Sequence, residues 1–166
     1  MIRTCTAQDV DVIDAIINEA ATAYRGHVPD DCLHDPYMSR SELLSEMASG
    51  VRFSGWEEDG QLLGIMGIQD VRDVSLIRHA YVRHSSQGKG IGGALLTHLT
   101  SATTRPLLVG TWAAAEWAIR LYQRHGFGLA DDQEKNRLLS TYWTISDRQR
   151  ETSVVLVHRQ SASDPP

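Results

Sequence analysis

The chain has 166 residues, enough for one domain around a single hydrophobic core. Hydrophobic residues at 42% and charged residues at 22% exclude a disordered or fibrous chain. Formal net charge is −5 and no basic block interleaves with aromatics, which speaks against nucleic-acid binding.

Ile2–Cys5 reads as a short strand, and Thr6 with Asp9 three residues on forms a capping box for a first helix. Val10, Ile13, Ile17, Ala20 and Tyr24 recur at helical spacing, with Gly26 as the stop. After a loop carrying Pro29 and Pro36, Ser39-Arg40-Ser41-Glu42 caps a second helix whose inner face is Leu43, Leu44 and Met47. The period then changes to two. Val51–Glu57 and Gln61–Gln69 are strands joined at Asp59-Gly60, a strong hairpin signal, and Val74–Val82 is a third strand beyond the Asp70–Asp73 turn. Gly90–Thr103 is a helix, Leu107–Val109 a short buried strand, and Glu116–His125 a helix ended by Gly126. Phe127–Leu129 makes a brief strand, residues 132–150 are polar with helical character around Glu134–Tyr142, and Thr152–Val157 is the last strand. With no repeat or linker, residues 1–158 form one α/β domain, a mixed sheet with helices on its faces, and 159–166 are expected to fray.

The most informative stretch is Leu76–Leu96, LIRHAYVRHSSQGKGIGGALL, in which a strand runs into a glycine-dense turn that opens a helix. Glycines at a helix mouth let backbone N–H groups approach an anion, and the helix dipole favours negative charge there. The turn fails as a Walker A loop, because Lys89 is followed by Gly90 and not by Ser or Thr. Gly88-x-Gly90-x-x-Gly93 formally satisfies a dinucleotide fingerprint. The acidic residue wanted about 20 residues on is missing, since the next strand ends Val109-Gly110-Thr111-Trp112.

Gln87-x-x-Gly90-x-Gly92 resembles the Q/R-x-x-G-x-G/A signature of the GCN5-related N-acetyltransferase (GNAT) superfamily. Downstream, Ala118-Ile119-Arg120-Leu121-Tyr122-Gln123-Arg124-His125-Gly126-Phe127 resembles the same family's A-x-x-x-Y-x-x-x-G-F element, and the order of elements matches as well. The resemblance implies the GNAT fold, a mostly antiparallel twisted sheet of about six or seven strands with about four helices. It implies acetyl-CoA as co-substrate, held at Gln87, Gly88, Lys89, Gly90, Ile91, Gly92 and Gly93, with its pantetheine arm along Ala80, Tyr81 and Val82. The Val82 N–H matches the family's donor to the thioester carbonyl, and Tyr122 its acid for the departing thiolate. Ala115 stands where family members often carry Asn, and Leu76 where they often carry a glutamate base.

With Leu76 unable to act, the base lies elsewhere, acts through water or is not needed; His79 on the same strand is a candidate, and Glu116 a further option. On spacing alone, Tyr122 fits a core aromatic as well as an acid, and His79 a hydrogen-bonded core residue as well as a base. Arg83, His84 and Lys89 fit either cofactor phosphates or solvated loop charges. Trp112 and Trp117 bracket the Tyr122 helix as core residues, with one of them available to wall an acceptor pocket. The histidines show no metal spacing and Cys5 and Cys32 no CxxC, so no metal and two reduced thiols are expected. No apolar run reaches a membrane span and the N-terminus lacks a signal-peptide core, so a cytoplasmic protein is expected.

The resemblance places the acceptor amine between Tyr24–Met38 and Asp132–Arg150, which carry Tyr24, Arg25, His34, Tyr37, Tyr142, Trp143 and Arg148. A small-molecule amine is expected, as in the phosphinothricin-type acetyltransferases the chain resembles. An amine with a carboxylate and a polycationic amine both stay open. So do a homodimer, a longer acyl chain, and an acetyl-CoA sensor or interaction module on the same fold.

Overall fold

The computed structural model describes residues 1–158, so the expectation of a fraying tail lies outside the described residues. Thr6 and Asp9 cap each other: Gln8 N donates to Thr6 Oγ1 at 3.3 Å and Thr6 N to Asp9 Oδ2 at 2.7 Å. This sets the direction of α1 (Val10–Ala20), which follows β1 (Ile2–Thr4) and passes into a tight turn over Ala21–Tyr24. Ser39 caps α2 (Arg40–Ala48) by accepting from Glu42 N at 3.2 Å. On α2, Leu43 is fully buried, but Leu44 is 45% exposed and does not share the inner face expected of it. Consecutive helical residues lie about 100° apart, and Leu43, with Met47 one turn on, faces α1 and the sheet.

Strands β2 (Arg52–Glu58), β3 (Gln61–Val71) and β4 (Val74–Val82) form an antiparallel meander. Its first hairpin turns at Asp59 (φ 49°) and Gly60 (φ 74°), the double left-handed pair that a two-residue turn requires. Then come α3 (Ile91–Ser101), β5 (Leu107–Trp112), α4 (Glu116–Arg124), β6 (Phe127–Leu129), α5 (Asp132–Tyr142), α6 (Asp147–Glu151) and β7 (Ser153–His158). The seven strands lie in the order β1-β2-β3-β4-β5-β7-β6, antiparallel except where β4 meets β5. The expected mixed, mostly antiparallel sheet is therefore present, with six helices where about four were expected. The unforeseen one is α6, a single turn capped by Ser146, which accepts from Gln149 N. β5 runs three residues beyond its expected end, because Gly110, Thr111 and Trp112 pair with Val155, Val154 and Ser153 of β7.

Alternation along the strands divides the core. Ile13, Ile16, Ile17 and Leu43 of α1 and α2 pack on Phe53, Leu62 and Ile65. Leu138 and Leu139 of α5 cover Leu76, Leu108 and Val155 on that same face. Ile91, Leu95 and Leu99 of α3, with Tyr122 of α4, pack on Met66, Ile68, Ile77 and Val109 on the other. Helices thus cover both faces of the central strands, and a seam opens between two of them.

Candidate active site

The seam lies between β4 and β5. Their parallel pairing stops at Ile77–Val109, and from Arg78 onward β4 has no partner on that side. The cause is local. Between Gly67–Arg78 and Ile65–Tyr81, one β3 residue faces two on β4, His79 and Ala80. This is a β-bulge, and it bends the strand away from its neighbour. His79 sits at the bend with φ 57°, a left-handed backbone that costs a residue bearing a side chain about 1–2 kcal/mol. Such strain gathers at functional sites.

The seam opens into a cleft of about 590 Å³, within the range of ligand sites. Of the residues expected to hold a cofactor, Ala80, Tyr81, Val82, Gln87, Gly88, Gly90, Ile91, Gly92 and Gly93 line it, as do His79 and Tyr122. Lys89 does not, and is exposed on the loop. Gly88 (φ 76°) and Gly90 (φ 81°) adopt the left-handed turns that lead into α3, and Gly90 caps that helix. The free amides of the first turn of α3 lie at the cleft, where the helix dipole adds positive potential. Gly93 has a packing duty as well: a Cβ there would stand 2.9 Å from His125 Nε2.

Arg83 N donates to Leu63 O at 2.8 Å, which makes Gly64–Val82 a pair that exchanges no hydrogen bonds of its own. The Val82 N–H and C=O therefore point away from β3, to the side where β5 has diverged. The carbonyl accepts from Gln87 Nε2 at 3.1 Å, which ties the glycine turn to the strand and leaves the Val82 N–H as a donor into the cleft.

Arg83 and His84, considered above as phosphate ligands, are engaged elsewhere. Arg83 Nη1 pairs with Glu19 Oε2 at 2.8 Å, His84 N donates to Glu19 Oε1 at 3.0 Å, and the His84 ring meets the Glu19 carbonyl at 3.1 Å. Glu19 fastens α1 to the end of β4, a contact between residues more than sixty positions apart that no local pattern announces. Glu116 is paired on the surface with Arg120 at 3.0 Å and does not reach the cleft as a base.

Tyr122 is buried, its ring is 5.7 Å from Phe127, and its hydroxyl has no hydrogen-bond partner among the described residues. Burial pushes the phenol well above its ordinary range, so it stays protonated and remains a donor at any working pH. His79 Nε2 meets a Glu46 carboxylate oxygen, while Nδ1 has no partner among the described residues and is not sealed from the cleft. The other Glu46 oxygen accepts from Arg78 Nη2 at 3.1 Å. Burial pushes the Glu46 carboxyl up, but the hydrogen bonds and charges of His79 and Arg78 outweigh it and hold the carboxyl below its ordinary range. Glu46 comes from α2, and the sequence carried no sign of it beyond an acid on a capped helix.

A smaller pocket of about 180 Å³ continues from the cleft on the far side of the seam. Tyr24, Tyr37, Trp112 and Trp143 wall it, so the two segments expected to receive an acceptor do meet here. Trp112 Nε1 donates to Tyr37 Oη at 3.2 Å, and the Tyr24 and Tyr81 hydroxyls are 3.3 Å apart. Trp117 is 43% exposed and lies against Tyr24 and His27 at the cleft, not in the core. Tyr142 is turned away and donates to Asp73 Oδ1 at 2.6 Å, while Arg148 pairs with Asp31 at 3.2 Å. Arg25 and His34 line neither space.

Residues 50–128 match the model of the acetyltransferase (GNAT) domain. The chain is 29% identical over 91 residues to peptidyl-lysine N-acetyltransferase YiaC of Escherichia coli, covering 55% of this chain and 60% of that relative. Among solved structures, the PaiA N-acetyltransferase of Thermoplasma acidophilum in complex with coenzyme A superposes with a TM-score of 0.74 at 16% identity, over 96% of this chain and 98% of that one. YncA of Salmonella typhimurium with acetyl-CoA gives 0.64 at 19%, over 99% and 97%. The seam, the bulge and the glycine-led helix are thus set in the fold of an acetyltransferase domain. The chain has the fold of the GNAT acetyltransferases, and its residues 50–128 match that family's domain.

Proposed function

We propose that the protein is an acetyl-CoA-dependent N-acetyltransferase that moves the acetyl group from the thioester to a primary amine of a small molecule, in a ternary complex. The observation that carries this reading is the seam itself. The head of α3, the Val82 N–H, the Tyr122 hydroxyl and His79 open onto one cleft where β4 leaves β5. The amides at Gly88–Gly93 suit a pyrophosphate, and the unpaired edge of β4 suits the amides of a pantetheine arm. The two neighbours crystallised with coenzyme A or acetyl-CoA support the same ligand.

The residues divide the chemistry. His79 takes a proton from the ammonium, through the ring nitrogen that Glu46 leaves free. The amine lone pair then forms the C–N bond as the C–S bond breaks. The Val82 N–H stabilises the charge that develops on the carbonyl oxygen, a role worth about 3–4 kcal/mol in other acyl transfers. Tyr122 passes its proton to the departing thiolate, the acylated nitrogen loses its second proton to solvent, and solvent reprotonates Tyr122 and takes the proton held by His79. The products are the acetamide, free thiol and one released proton. Cytoplasmic work suits this assignment, and no helix among the described residues is long and apolar enough to cross a membrane.

The test is a thermal-shift titration with acetyl-CoA and CoA, with NADH and ATP as comparators. At 100 times its dissociation constant a ligand stabilises by about 2.7 kcal/mol, or several degrees at this size. A shift with acetyl-CoA and CoA alone, followed by thiol release in an amine screen, is the expected outcome. A shift with NADH and none with CoA revives the dinucleotide reading and removes this one. A shift without thiol release from any amine leaves a sensor.

A further inference from the structure

The sequence left two kinds of acceptor open, an amine bearing a carboxylate and a polycationic amine, and the smaller pocket is built for neither. Its guanidinium, Arg78, is already committed: Nη2 donates to Glu46 at 3.1 Å and Nη1 to Gln69 Oε1 at 3.2 Å. Among the described residues no other arginine or lysine lines the pocket, so an acceptor carboxylate would meet no free cation there. No aspartate or glutamate among the described residues lines it either, so the second ammonium of a polyamine would have no counter-charge.

Its apolar wall is largely aromatic, and Thr111, Gln149 and Ser153 add polar groups. Trp143 lies over the β5 backbone, and a Cβ on Gly110 would stand 3.4, 3.5 and 3.7 Å from three atoms of its ring. These are ordinary van der Waals distances, so the indole packs directly against this stretch of β5. Trp112, Tyr37 and Tyr24 stand on another side, with Tyr24 and Tyr37 rings 5.4 Å apart. His79 marks the end shared with the cleft, and Leu139 and Ile145 supply apolar surface beside Trp143. On the outside, the Asp31–Arg148 pair links the segment bearing Tyr24 and Tyr37 to the one bearing Trp143.

We infer that the acceptor is a small arylalkylamine: one primary amine on a short chain attached to an aromatic ring, without a carboxylate. The inference rests on the transferase reading above and adds the acceptor class to it. The ring packs among Trp143, Trp112 and Tyr37, and the cationic amine, drawn to aromatic faces, arrives beside His79.

Thiol release is measured for the whole protein with acetyl-CoA and four acceptors: phenethylamine, glutamate, spermidine and a lysine-containing peptide. The expected result is a kcat/KM for phenethylamine at least tenfold above the other three. Trp143→Ala then raises the KM for phenethylamine about tenfold and leaves the KM for acetyl-CoA unchanged, and Trp143→Phe restores most of the loss. Equal or better use of glutamate, spermidine or the peptide overturns the acceptor class while leaving the transferase standing. So does an unmoved phenethylamine KM in a folded Trp143→Ala variant. Absence of stabilisation by acetyl-CoA, or of thiol release from any amine, overturns both readings.

Discussion

Replacing Glu46 by Gln separates a histidine held for chemistry from one held for packing. One Glu46 oxygen meets His79 Nε2 and the other accepts from Arg78 at 3.1 Å. Glutamine keeps the shape but turns one acceptor into a donor and removes the charge, so one partner loses its bond. A hydrogen bond to a charged group contributes about 1.5–3 kcal/mol, so the variant is expected to lose about 2 kcal/mol of stability. That corresponds to a fall of about 4–8 °C in Tm for a chain of this length. If the carboxylate also stabilises the imidazolium that forms as His79 takes the proton, the same 2 kcal/mol lowers kcat about 30-fold. The charged and titratable groups around the ring are few. Glu46 faces it from α2, Arg78 adjoins it on β4 and is bound to Glu46, and the Tyr81 ring lies 6.4 Å away. From β2 the ring meets only Phe53, at 6.0 Å. Thiol release at saturating substrate, beside a melting curve, reads both effects. A variant that melts earlier but keeps the wild-type kcat would refute the argument and leave His79 a structural residue.

Three further outcomes follow from other contacts. Tyr122→Phe keeps the buried ring and removes the hydroxyl, so kcat should fall about a hundredfold or more while the KM for acetyl-CoA stays within twofold; unchanged turnover in steady-state kinetics removes the acid role. Gly93→Ala places a methyl 2.9 Å from His125 Nε2, on a ring whose Nδ1 is fixed to the Leu121 carbonyl at 2.8 Å. The ring cannot swing aside freely, and urea denaturation should show a loss of about 1–3 kcal/mol. The Arg3 hydrogen bonds hold the Asp9 carboxyl down from 3.8 to about 2. A lowered carboxyl contributes stability that is fully present above pH 3.8 and is lost as pH falls through about 2. Asp9→Asn should therefore be less stable than the parent at neutral pH and lose less of its stability between pH 4 and 2.

The local features were legible because they are written within a few residues. The Thr6–Asp9 box, the Asp59-Gly60 turn, β4 over Val74–Val82 and the Gly88–Gly93 turn each depend on neighbouring groups alone. The left-handed glycine turn at the head of α3 could be read for the same reason, since it is made of backbone, and glycine spacing reports backbone. Side-chain partners were harder. Arg83 and His84 look available in sequence and are spent on Glu19, whose place opposite them is decided by how α1 docks on the sheet. Leu44 and Trp117 read as core residues and are exposed, because burial depends on what stands opposite and not on residue type.

By itself, then, the sequence determined the order of elements and the glycine-led helix, and it singled out Tyr122 and His79, which both line the cleft. Only the tertiary structure decided that β4 leaves β5 after Ile77, that Glu46 reaches His79 from thirty-three residues away, and that Arg78 has no charge to spare for an acceptor. The physical reason is range. Turns, caps and helix mouths are set by hydrogen bonds between near neighbours in the chain. The seam and its charge balance arise from groups that meet only when helices from both ends of the chain close on the sheet.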